Sequence, residues 1–229
     1  MKDLKKTCFI SILVTIILAL SVASTVHAIG AIGTITAVSS PSIIAYDSGK
    51  GEIFVVDVNH NTIDVISDSD NSLVASVLMG ADPTALAYDS GTGEVFAANA
   101  AYGSSGTVSV ISDSNNTVVA SIPVGGSPGG LIHGMIYDSG KGEIFLVNSG
   151  TVQVISDETN TVVATVPSSA NFNPSCLAYD SGKGEIFATS TDSSGIISVI
   201  SDASNSVVKT ISVDGFPSDL VYDSGKGEI

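Results

Sequence analysis

An aspartate and a glutamate recur five residues apart in a glycine-rich segment, and their carboxylates are the groups of this chain best suited to bind a cation. The first occurrence reads Asp47-Ser48-Gly49-Lys50-Gly51-Glu52. Carboxylate oxygens of this kind suit Ca²⁺. The candidate ligands are Asp47, Glu52, Asp89, Glu94, Asp138, Glu143, Asp180 and Glu185. The segment lacks the alternating carboxylates of an EF-hand loop, and a tight hairpin needs the same Asp and Gly, so an ordinary turn without a cofactor is the preferred interpretation.

Two histidines and one cysteine are the remaining candidates for metal binding or nucleophilic chemistry outside the N-terminal 28 residues. His133 replaces the Ser or Thr found at the matching position of the other repeats, and it is the candidate to face a central channel. His60 lies in a loop, and two histidines in different repeats do not give the ligand spacing of a zinc site. Cys176 occupies a position that elsewhere holds Ile43, Ala85, Gly134 and Asp219, so we expect it to be a small buried filler.

Asn115 begins an Asn-Asn-Thr sequence, which fits the acceptor pattern for N-glycosylation on an exposed turn. This short motif carries little specificity. No cluster of candidate catalytic residues stands out from the repeat, so the preferred interpretation is a protein that is not an enzyme.

Two phrases recur along the chain with matching periods, and they define the elements that must position these residues. A Tyr-Asp-Ser-Gly-x-Gly-Glu phrase begins at Tyr46, Tyr88, Tyr137, Tyr179 and Tyr222, and an Ile-Ser-Asp-x-x-Asn phrase begins at Ile66, Ile111, Ile155 and Ile200. Periods of about 43 residues are typical of repeat architectures.

Each repeat reads as four short strands, here called A to D, separated by tight turns. Strands B to D are rich in β-branched and aromatic residues, and Gly, Asp and Asn mark the turns between them. Four antiparallel strands in about 43 residues predict an all-β fold, a β-propeller of four-stranded blades. The predicted domain of repeats covers 29–229, with four complete blades at roughly 40–79, 82–124, 128–167 and 173–213.

The repeat resembles the YVTN-type β-propeller repeat, which is found in archaeal surface-layer and other exported proteins. The matching phrases are Ala87-Tyr88-Asp89, Glu143-Ile144-Phe145-Leu146-Val147-Asn148, Val154-Ile155-Ser156-Asp157 and Asn160-Thr161-Val162-Val163-Ala164-Thr165-Val166-Pro167. The resemblance implies a propeller fold at the cell surface and implies little about activity. The Ser-Gly-Lys-Gly-Glu turn departs from the family's more common Pro-x-x-Gly turn, which affects the hairpin only.

Partial blades are predicted at both ends of the repeat array. Residues 30–38 match strand D of a closing blade, and residues 216–229 supply strand A and the first residues of strand B. An incomplete blade exposes apolar faces and strand edges. A fragment of a longer propeller is the favoured explanation; a short chain closed by self-association and a five-bladed propeller with a defective blade are the alternatives.

Residues 1–28 have the layout of a secretory signal peptide. Three lysines precede an apolar run, Phe9 to Val22, and small residues lead to a predicted cleavage site after Ala28. The apolar run is short for a membrane span. We therefore expect a secreted or cell-surface protein with no stable membrane span after cleavage, although an uncleaved N-terminal anchor is the alternative.

The charge of the predicted mature chain excludes one class of partner. Residues 1–28 contain one acid and three lysines, which leaves 22 acids, five lysines and a net charge of −17 for 29–229. Such a surface repels the phosphates of nucleic acids, so no nucleic-acid partner is expected. A single cysteine in 29–229 also excludes an internal disulfide framework.

These features leave three hypotheses about function. The first is a non-enzymatic cell-surface or secreted module that binds a protein or a surface polysaccharide. The second is an extracellular propeller enzyme, similar to a lactonase or lyase or dependent on a cofactor, whose site residues lie outside this piece. The third is a structural array stabilised by calcium.

Overall fold

The computed structural model describes residues 34–80, 82–100, 105–126, 134–167, 173–190 and 195–229. The chain divides into two compact units, Met1–Thr34 and Ile35–Ile229, and every described strand belongs to the second. Among the described residues there is no helix, and hence none of a length and apolarity that would cross a bilayer. His133 and the residues before Thr34 lie outside the described part of the chain.

Sixteen strands within these ranges form four antiparallel sheets of four strands each, called blades 1 to 4. In every blade the strands are hydrogen-bonded in the order in which they occur in the chain. Blade 1 contains β1 (Pro41–Asp47), β2 (Glu52–Asp57), β3 (Thr62–Ser67) and β4 (Leu73–Leu78). Blade 2 contains β5 (Asp82–Asp89), β6 (Glu94–Ala100), β7 (Thr107–Ser112) and β8 (Thr117–Pro123).

The second half of the array repeats this pattern. Blade 3 contains β9 (Met135–Asp138), β10 (Glu143–Asn148), β11 (Thr151–Ser156) and β12 (Thr161–Val166). Blade 4 contains β13 (Pro174–Asp180), β14 (Glu185–Ser190), β15 (Ile196–Ser201) and β16 (Ser206–Ser212). The predicted all-β architecture of four-stranded antiparallel blades is confirmed, and the four blades form an incomplete β-propeller.

The two recurring phrases form the two turns at one end of each blade. In the first turn of blade 1, Gly51 has a φ of 70° and its N–H donates to the carbonyl oxygen of Asp47 at 2.9 Å. In the turn between the third and fourth strands, Asn takes the left-handed conformation that few other residues tolerate. These residues are Asn71, Asn116, Asn160 and Asn205, with φ values of 60°, 54°, 51° and 47°. The repeated Gly and Asn are therefore conformational requirements of the turns.

Alternation along the strands buries both faces of the inner blades. In β10, Ile144 and Leu146 pack in a core cluster with blade 2, whereas Phe145 and Val147 pack in a cluster with blade 4. A third cluster joins blades 1 and 2. Because successive side chains of a strand point to opposite faces, one strand contributes to two junctions. Blade-to-blade packing thus replaces a single central core, and each buried Phe or Ile contributes about 1.5–3 kcal/mol.

The first strand of each blade lies on the inside of the array, where it contacts the first strand of the neighbouring blade. These strands are β1, β5, β9 and β13. They carry the residues just before each Tyr-Asp phrase, as the repeat predicted.

The two ends of the array differ from the complete blades. The segment 30–38, predicted as a closing strand D, is described from residue 34, and residues 34–38 form no strand. The residues that follow this segment are held on blade 1, where the carbonyl oxygen of Ser40 accepts a hydrogen bond from the backbone N–H of Val58 at 3.1 Å. Among the described residues, no strand of a further blade pairs with residues 34–38. Residues 216–229 form only one isolated bridge, between Asp223 and Glu228.

Candidate functional site

The aspartate of each first turn is buried and holds the turn through its side chain. Oδ1 of Asp47 accepts hydrogen bonds from the backbone N–H groups of Gly49 at 2.7 Å and Lys50 at 3.1 Å. The equivalent Gly N–H donates to Asp89, Asp138 and Asp180 at 2.7, 2.8 and 2.9 Å. All four aspartates are at most 1% exposed. Their local role is the one that the turn interpretation predicted.

The tyrosine of the next blade completes this turn from across the junction. The Tyr88 hydroxyl lies 2.9 Å from the position that a Cβ would take on Gly49, beside the Asp47 carboxylate. Burial and the neighbouring carboxylate raise the pKa of Tyr88 to about 12. Tyr137 and Tyr179 lie in the same way beside Asp89 and Asp138, and burial raises their pKa values too. At each of these junctions, a Tyr from one blade therefore contacts the Asp turn of the preceding blade, and we call this contact the latch.

A second carboxylate joins this latch from the turn between the third and fourth strands. Asp113 of blade 2 lies beside Asp47 of blade 1, and burial together with this like charge raises the pKa of Asp113. Burial and Asp89 raise the pKa of Asp157 in the same way. Nζ of Lys50 donates a hydrogen bond to the carbonyl oxygen of Asp113, which supplies a positive charge at the first junction.

The second oxygen of the turn aspartate is satisfied in two of the four blades. Oδ2 of Asp89 accepts from Thr92 Oγ1 at 2.6 Å, and Oδ2 of Asp180 accepts from Lys183 Nζ at 2.7 Å. Oδ2 of Asp47 and of Asp138 is buried without a partner in hydrogen-bonding geometry among the described residues. The lysines explain why these two oxygens differ from that of Asp180. Lys50 and Lys141 donate to the carbonyl oxygens of Asp113 and Asp202 in the next blade, and not to the aspartate of their own turn.

The structure places the calcium candidates in pairs. Each Asp lies directly opposite its Glu in the strand pairing, as Asp47 does with Glu52 and Asp89 with Glu94. The same pairing joins Asp138 to Glu143 and Asp180 to Glu185. Burial raises the pKa values of Glu94 and Glu143, with like charges adding to the effect. Within the described ranges, no group of three or more His, Cys, Asp or Glu residues is arranged to hold a metal ion.

A cluster that the repeat did not reveal lies at the other end of blade 1. Asp57 is buried and accepts hydrogen bonds from Ser39 N–H at 2.9 Å, Ser39 Oγ at 3.0 Å and Asn59 N–H at 3.0 Å. Nδ1 of His60 lies 3.0 Å from Asp57 Oδ2 and 3.3 Å from Ser39 Oγ. The hydrogen bonds from His60, Ser39 and Asn59 hold the pKa of Asp57 well below its usual range, and Asp57 raises the pKa of His60.

The Ser39, His60 and Asp57 cluster does not have the geometry of a catalytic triad. In a triad the imidazole uses one nitrogen for the serine and the other for the aspartate. Here Ser39 Oγ and Asp57 both contact Nδ1 of His60. The cluster therefore anchors the segment before β1 to blade 1. The side chain of His60 is 65% exposed, as expected for a loop residue, and its pairing with Asp57 was not predicted.

Cys176 and Asp219 occupy the same repeat position in neighbouring units and contact each other. Sγ of Cys176 donates to Asp219 Oδ1 at 3.0 Å. Cys176 is fully buried. Burial and, to a smaller extent, the nearby Asp219 carboxylate raise the pKa of its thiol to about 12. A thiol held so firmly in the protonated form has little nucleophilic character.

Asn115 lies in the exposed turn between β7 and β8. Its Oδ1 accepts hydrogen bonds from Thr117 N–H at 3.2 Å and Thr117 Oγ1 at 2.7 Å. The side chain is therefore part of an ordinary turn whose amide faces solvent. Glycosylation at this position stays a prediction.

An open groove runs along the inside of the array and is lined by residues from the first strands of all four blades. Its volume is about 430 Å³. Its lining combines apolar side chains with tyrosines and serines of the Tyr-Asp-Ser-Gly phrase. The residues used below are Ile44, Leu86, Met135, Leu177, Ser90 and Ser139. We call this surface the inner groove.

Comparisons with known proteins support the fold and leave the activity open. No model of a known protein family matches the chain, and no curated protein matches it. Among solved structures, the chain is similar to a structure titled Kuenenia stuttgartiensis Hydrazine Synthase, with a TM-score of 0.67 and 17% sequence identity. The match covers 86% of this chain and 55% of that chain, so this chain spans about half the length of its neighbour. At this identity the likeness shows a propeller-like fold only.

Proposed function

We propose that the chain is an exported, non-enzymatic structural and interaction module that binds a protein or a surface polysaccharide through the inner groove. The observation that carries this proposal is the groove itself, because the first strands of all four blades contribute residues to its lining. Apolar surface combined with tyrosines and a few hydroxyl groups is typical of binding sites for such partners.

The arrangement of the acidic residues supports the same function. The buried aspartates of the repeated phrase are engaged in turns and junctions, so the chemistry of the repeat holds blades together. We further propose that the repeats are of the YVTN type, on the strength of the phrases quoted above, and that the chain leaves the cytoplasm by cleavage after Ala28.

Export is tested by mass spectrometry of the chain recovered from its native host. We expect a mature N-terminus at Ile29 and removal of the chain from intact cells by an added protease. An intracellular chain that retains residues 1–28 would contradict the proposed export.

Binding is tested by co-sedimentation of the purified chain with cell envelopes isolated from the host. Ser90 and Ser139 are exposed at the groove, so Ser90→Phe and Ser139→Phe fill its rim without entering the core. We expect each change to weaken binding at least fivefold. Ser69→Phe is the matched control, because Ser69 is exposed in another turn and does not line the groove. Equal binding by all three variants would exclude the groove as the binding surface.

A further inference from the structure

Three buried side-chain oxygens of blades 3 and 4 have no hydrogen-bond partner among the described residues. They are Oδ2 of Asp138, Oε2 of Glu143 and Oδ1 of Asn205. The side chain of Asp138 is fully buried. A buried oxygen of this kind costs free energy unless a donor or a cation satisfies it. Because all three are acceptors, the group that would satisfy them together is positively charged or donates hydrogen bonds.

Two of these oxygens lie on one face of blade 3. Asp138 and Glu143 are directly opposite each other in the pairing of β9 with β10. Residues paired in this way project from the same side of a sheet, with their Cβ atoms about 4.5–5.5 Å apart. Phe145 follows Glu143 by two residues in β10 and packs in the cluster with blade 4. Both carboxylates therefore face blade 4.

The third oxygen comes from blade 4. Asn205 occupies the repeat position of Asn116 in blade 2. Nδ2 of Asn116 lies 3.5 Å from Oε2 of Glu52 in the preceding blade. The residue that corresponds to Glu52 in blade 3 is Glu143. The repeat therefore places the Asn205 amide beside the two carboxylates of blade 3.

The other two internal junctions satisfy more of the equivalent oxygens. Oε2 of Glu52 has the Asn116 amide as its neighbour, and Oδ2 of Asp89 accepts from Thr92 Oγ1 at 2.6 Å. Blade 3 has Lys141 where blade 2 has Thr92. Nζ of Lys141 donates to a backbone carbonyl oxygen of blade 4 and not to a carboxylate. The junction of blades 3 and 4 is thus the one where the Asp, the Glu and the Asn each keep an unsatisfied oxygen among the described residues.

The charges around this pair of carboxylates leave it negative. Burial is the main cause of the raised pKa of Glu143. The carboxylates of Asp138, Asp202 and Asp157 add to the increase, and the ammonium group of Lys141 opposes it. The two paired carboxylates and this one ammonium group have a net charge of −1. A bound cation would offset that charge and favour the ionised form of Glu143.

We propose that Asp138, Glu143 and Asn205 bind one monovalent alkali cation, Na⁺ or K⁺, between blades 3 and 4. Carboxylate and amide oxygens are the hard ligands that such a cation prefers. A divalent ion fits less well, because Ca²⁺ favours sites with more carboxylates. Within the described ranges, no group of three or more His, Cys, Asp or Glu residues is arranged to hold a metal ion. The ion stabilises the junction because its ligands come from both blades, whatever the inner groove binds.

The test compares the melting temperature of the purified chain at pH 7 in NaCl, KCl and choline chloride of equal ionic strength. Choline supplies the same screening but is too large to fit between the blades. At about 0.2 M salt, we expect melting at least about 3 °C higher in one of the alkali salts than in choline chloride, because a cation bound only by the folded chain stabilises it. Equal melting temperatures in the three salts would overturn the proposal and assign the oxygens to a proton or to water.

Glu143→Gln tests whether the ion lies at this junction. The change keeps the size of the side chain and removes one of the two charges, so we expect the difference between the alkali salt and choline chloride to fall by at least half. Glu94→Gln is the matched control, because Glu94 holds the same repeat position in blade 2, where Thr92 already donates to Asp89. The difference should persist in that variant. Each comparison uses two salts for one variant, so changes in overall stability cancel. The same result for both variants would overturn the assignment to this junction.

Lys141→Met distinguishes the cation from a competing donor. In blade 4 the equivalent Lys183 donates to Oδ2 of Asp180 at 2.7 Å, and the same contact from Lys141 to Asp138 is the competing explanation. Removal of the Lys141 charge should lower the salt concentration needed for half of the stabilisation by at least threefold. A salt-specific response in this variant but not in the wild type would show that Lys141 satisfies Asp138 and would overturn the proposal. An unchanged midpoint would show that the ion binds elsewhere.

Discussion

The Tyr137 hydroxyl of blade 3 lies 2.7 Å from the position that a Cβ atom would take on Gly91 of blade 2. The first glycine of the repeated phrase thus makes room for the tyrosine of the following blade. Gly91 is not among the described glycines that have a positive φ. The backbone conformation therefore does not require glycine here; the lack of room for a side chain does.

Gly91→Ala is therefore expected to destabilise the chain by about 1–3 kcal/mol, because the added methyl group must displace a half-buried tyrosine. Denaturant unfolding measures this cost. Gly80→Ala is the control, since nothing lies within 4 Å of a Cβ there. Tyr137→Phe should recover part of the loss when combined with Gly91→Ala, and strictly additive effects would show that the two residues do not interact.

The like-charged carboxylates at the junctions give the stability a defined pH dependence. The pKa of Asp113 is raised above its ordinary 3.8, so between the two values the folded chain binds more protons than the unfolded chain. Its contribution is complete below 3.8 and is lost as the pH rises through the folded-state pKa. Asp157, Glu94 and Glu143 have raised pKa values and act in the same direction.

We expect the free energy of unfolding to rise as the pH falls from 7 to about 4–5. Below that range it should fall, because Asp57, Asp70 and Asp180 have lowered pKa values and lose their stabilising charge there. Asp113→Asn should stabilise the chain at pH 7 and have a smaller effect near pH 4. Urea titrations at four pH values measure both effects; a wild-type optimum at pH 7 or above would contradict them.

Asp57→Asn is expected to cost about 1.5–3 kcal/mol at pH 7, because a buried carboxylate that accepts several hydrogen bonds loses its charge. His60→Gln is the matched change on the exposed partner and should cost clearly less, because solvent screens an exposed ion pair. The His60 pKa is raised, so its ion pair contributes fully below 6.5 and is lost as the pH rises through the folded-state value. Equal costs for the two variants in urea unfolding would show that Asp57 is not the anchor.

Cys176 should react slowly with a thiol reagent in the native chain at pH 8. The increase of its pKa from 9.0 to about 12 reduces the thiolate fraction by on the order of a hundredfold or more. Asp219→Asn removes the neighbouring charge and should speed the reaction. The absorbance change with Ellman's reagent follows both rates, and a native rate equal to that of the chain in urea would show that the thiol is not buried.

Removal of divalent cations is expected to shift the melting temperature by less than about 2 °C, which corresponds to less than about 1 kcal/mol for a chain of this size. The reason is that one oxygen of each buried Asp already holds its turn. Melting curves in EDTA and in calcium chloride measure this shift. Stabilisation of several degrees by calcium alone would instead support cation binding by the paired acids.

The strands and turns of the blades could be predicted because the same sequence pattern recurs in every blade. Gly51 and Asn71 sit where turns need a left-handed backbone, and β10 alternates as a strand buried on both faces must. Comparison of the internal repeats of this one chain was therefore enough to predict its strands, turns and blades.

Contacts between repeats could not be read in the same way. Nothing in the spacing of Tyr88 and Asp47 says that they meet across a junction, because a strand pattern does not specify which face meets which. The Ser39, Asp57 and His60 cluster was missed because these residues depart from the repeat at separate positions. A signal did exist at Asp57, where the chain has an acid and the other blades have Asn99, Asn148 and Ser190.

Each junction is built from two segments that lie one repeat apart, and this has a consequence for how such a chain can change in length. Duplication of one unit of about 43 residues in the gene inserts a blade that brings its own Asp turn and its own Tyr. The new blade forms the same contacts on both sides, so the existing contacts need no compensating mutation. The number of repeats can therefore change by recombination between similar gene segments while the protein continues to fold.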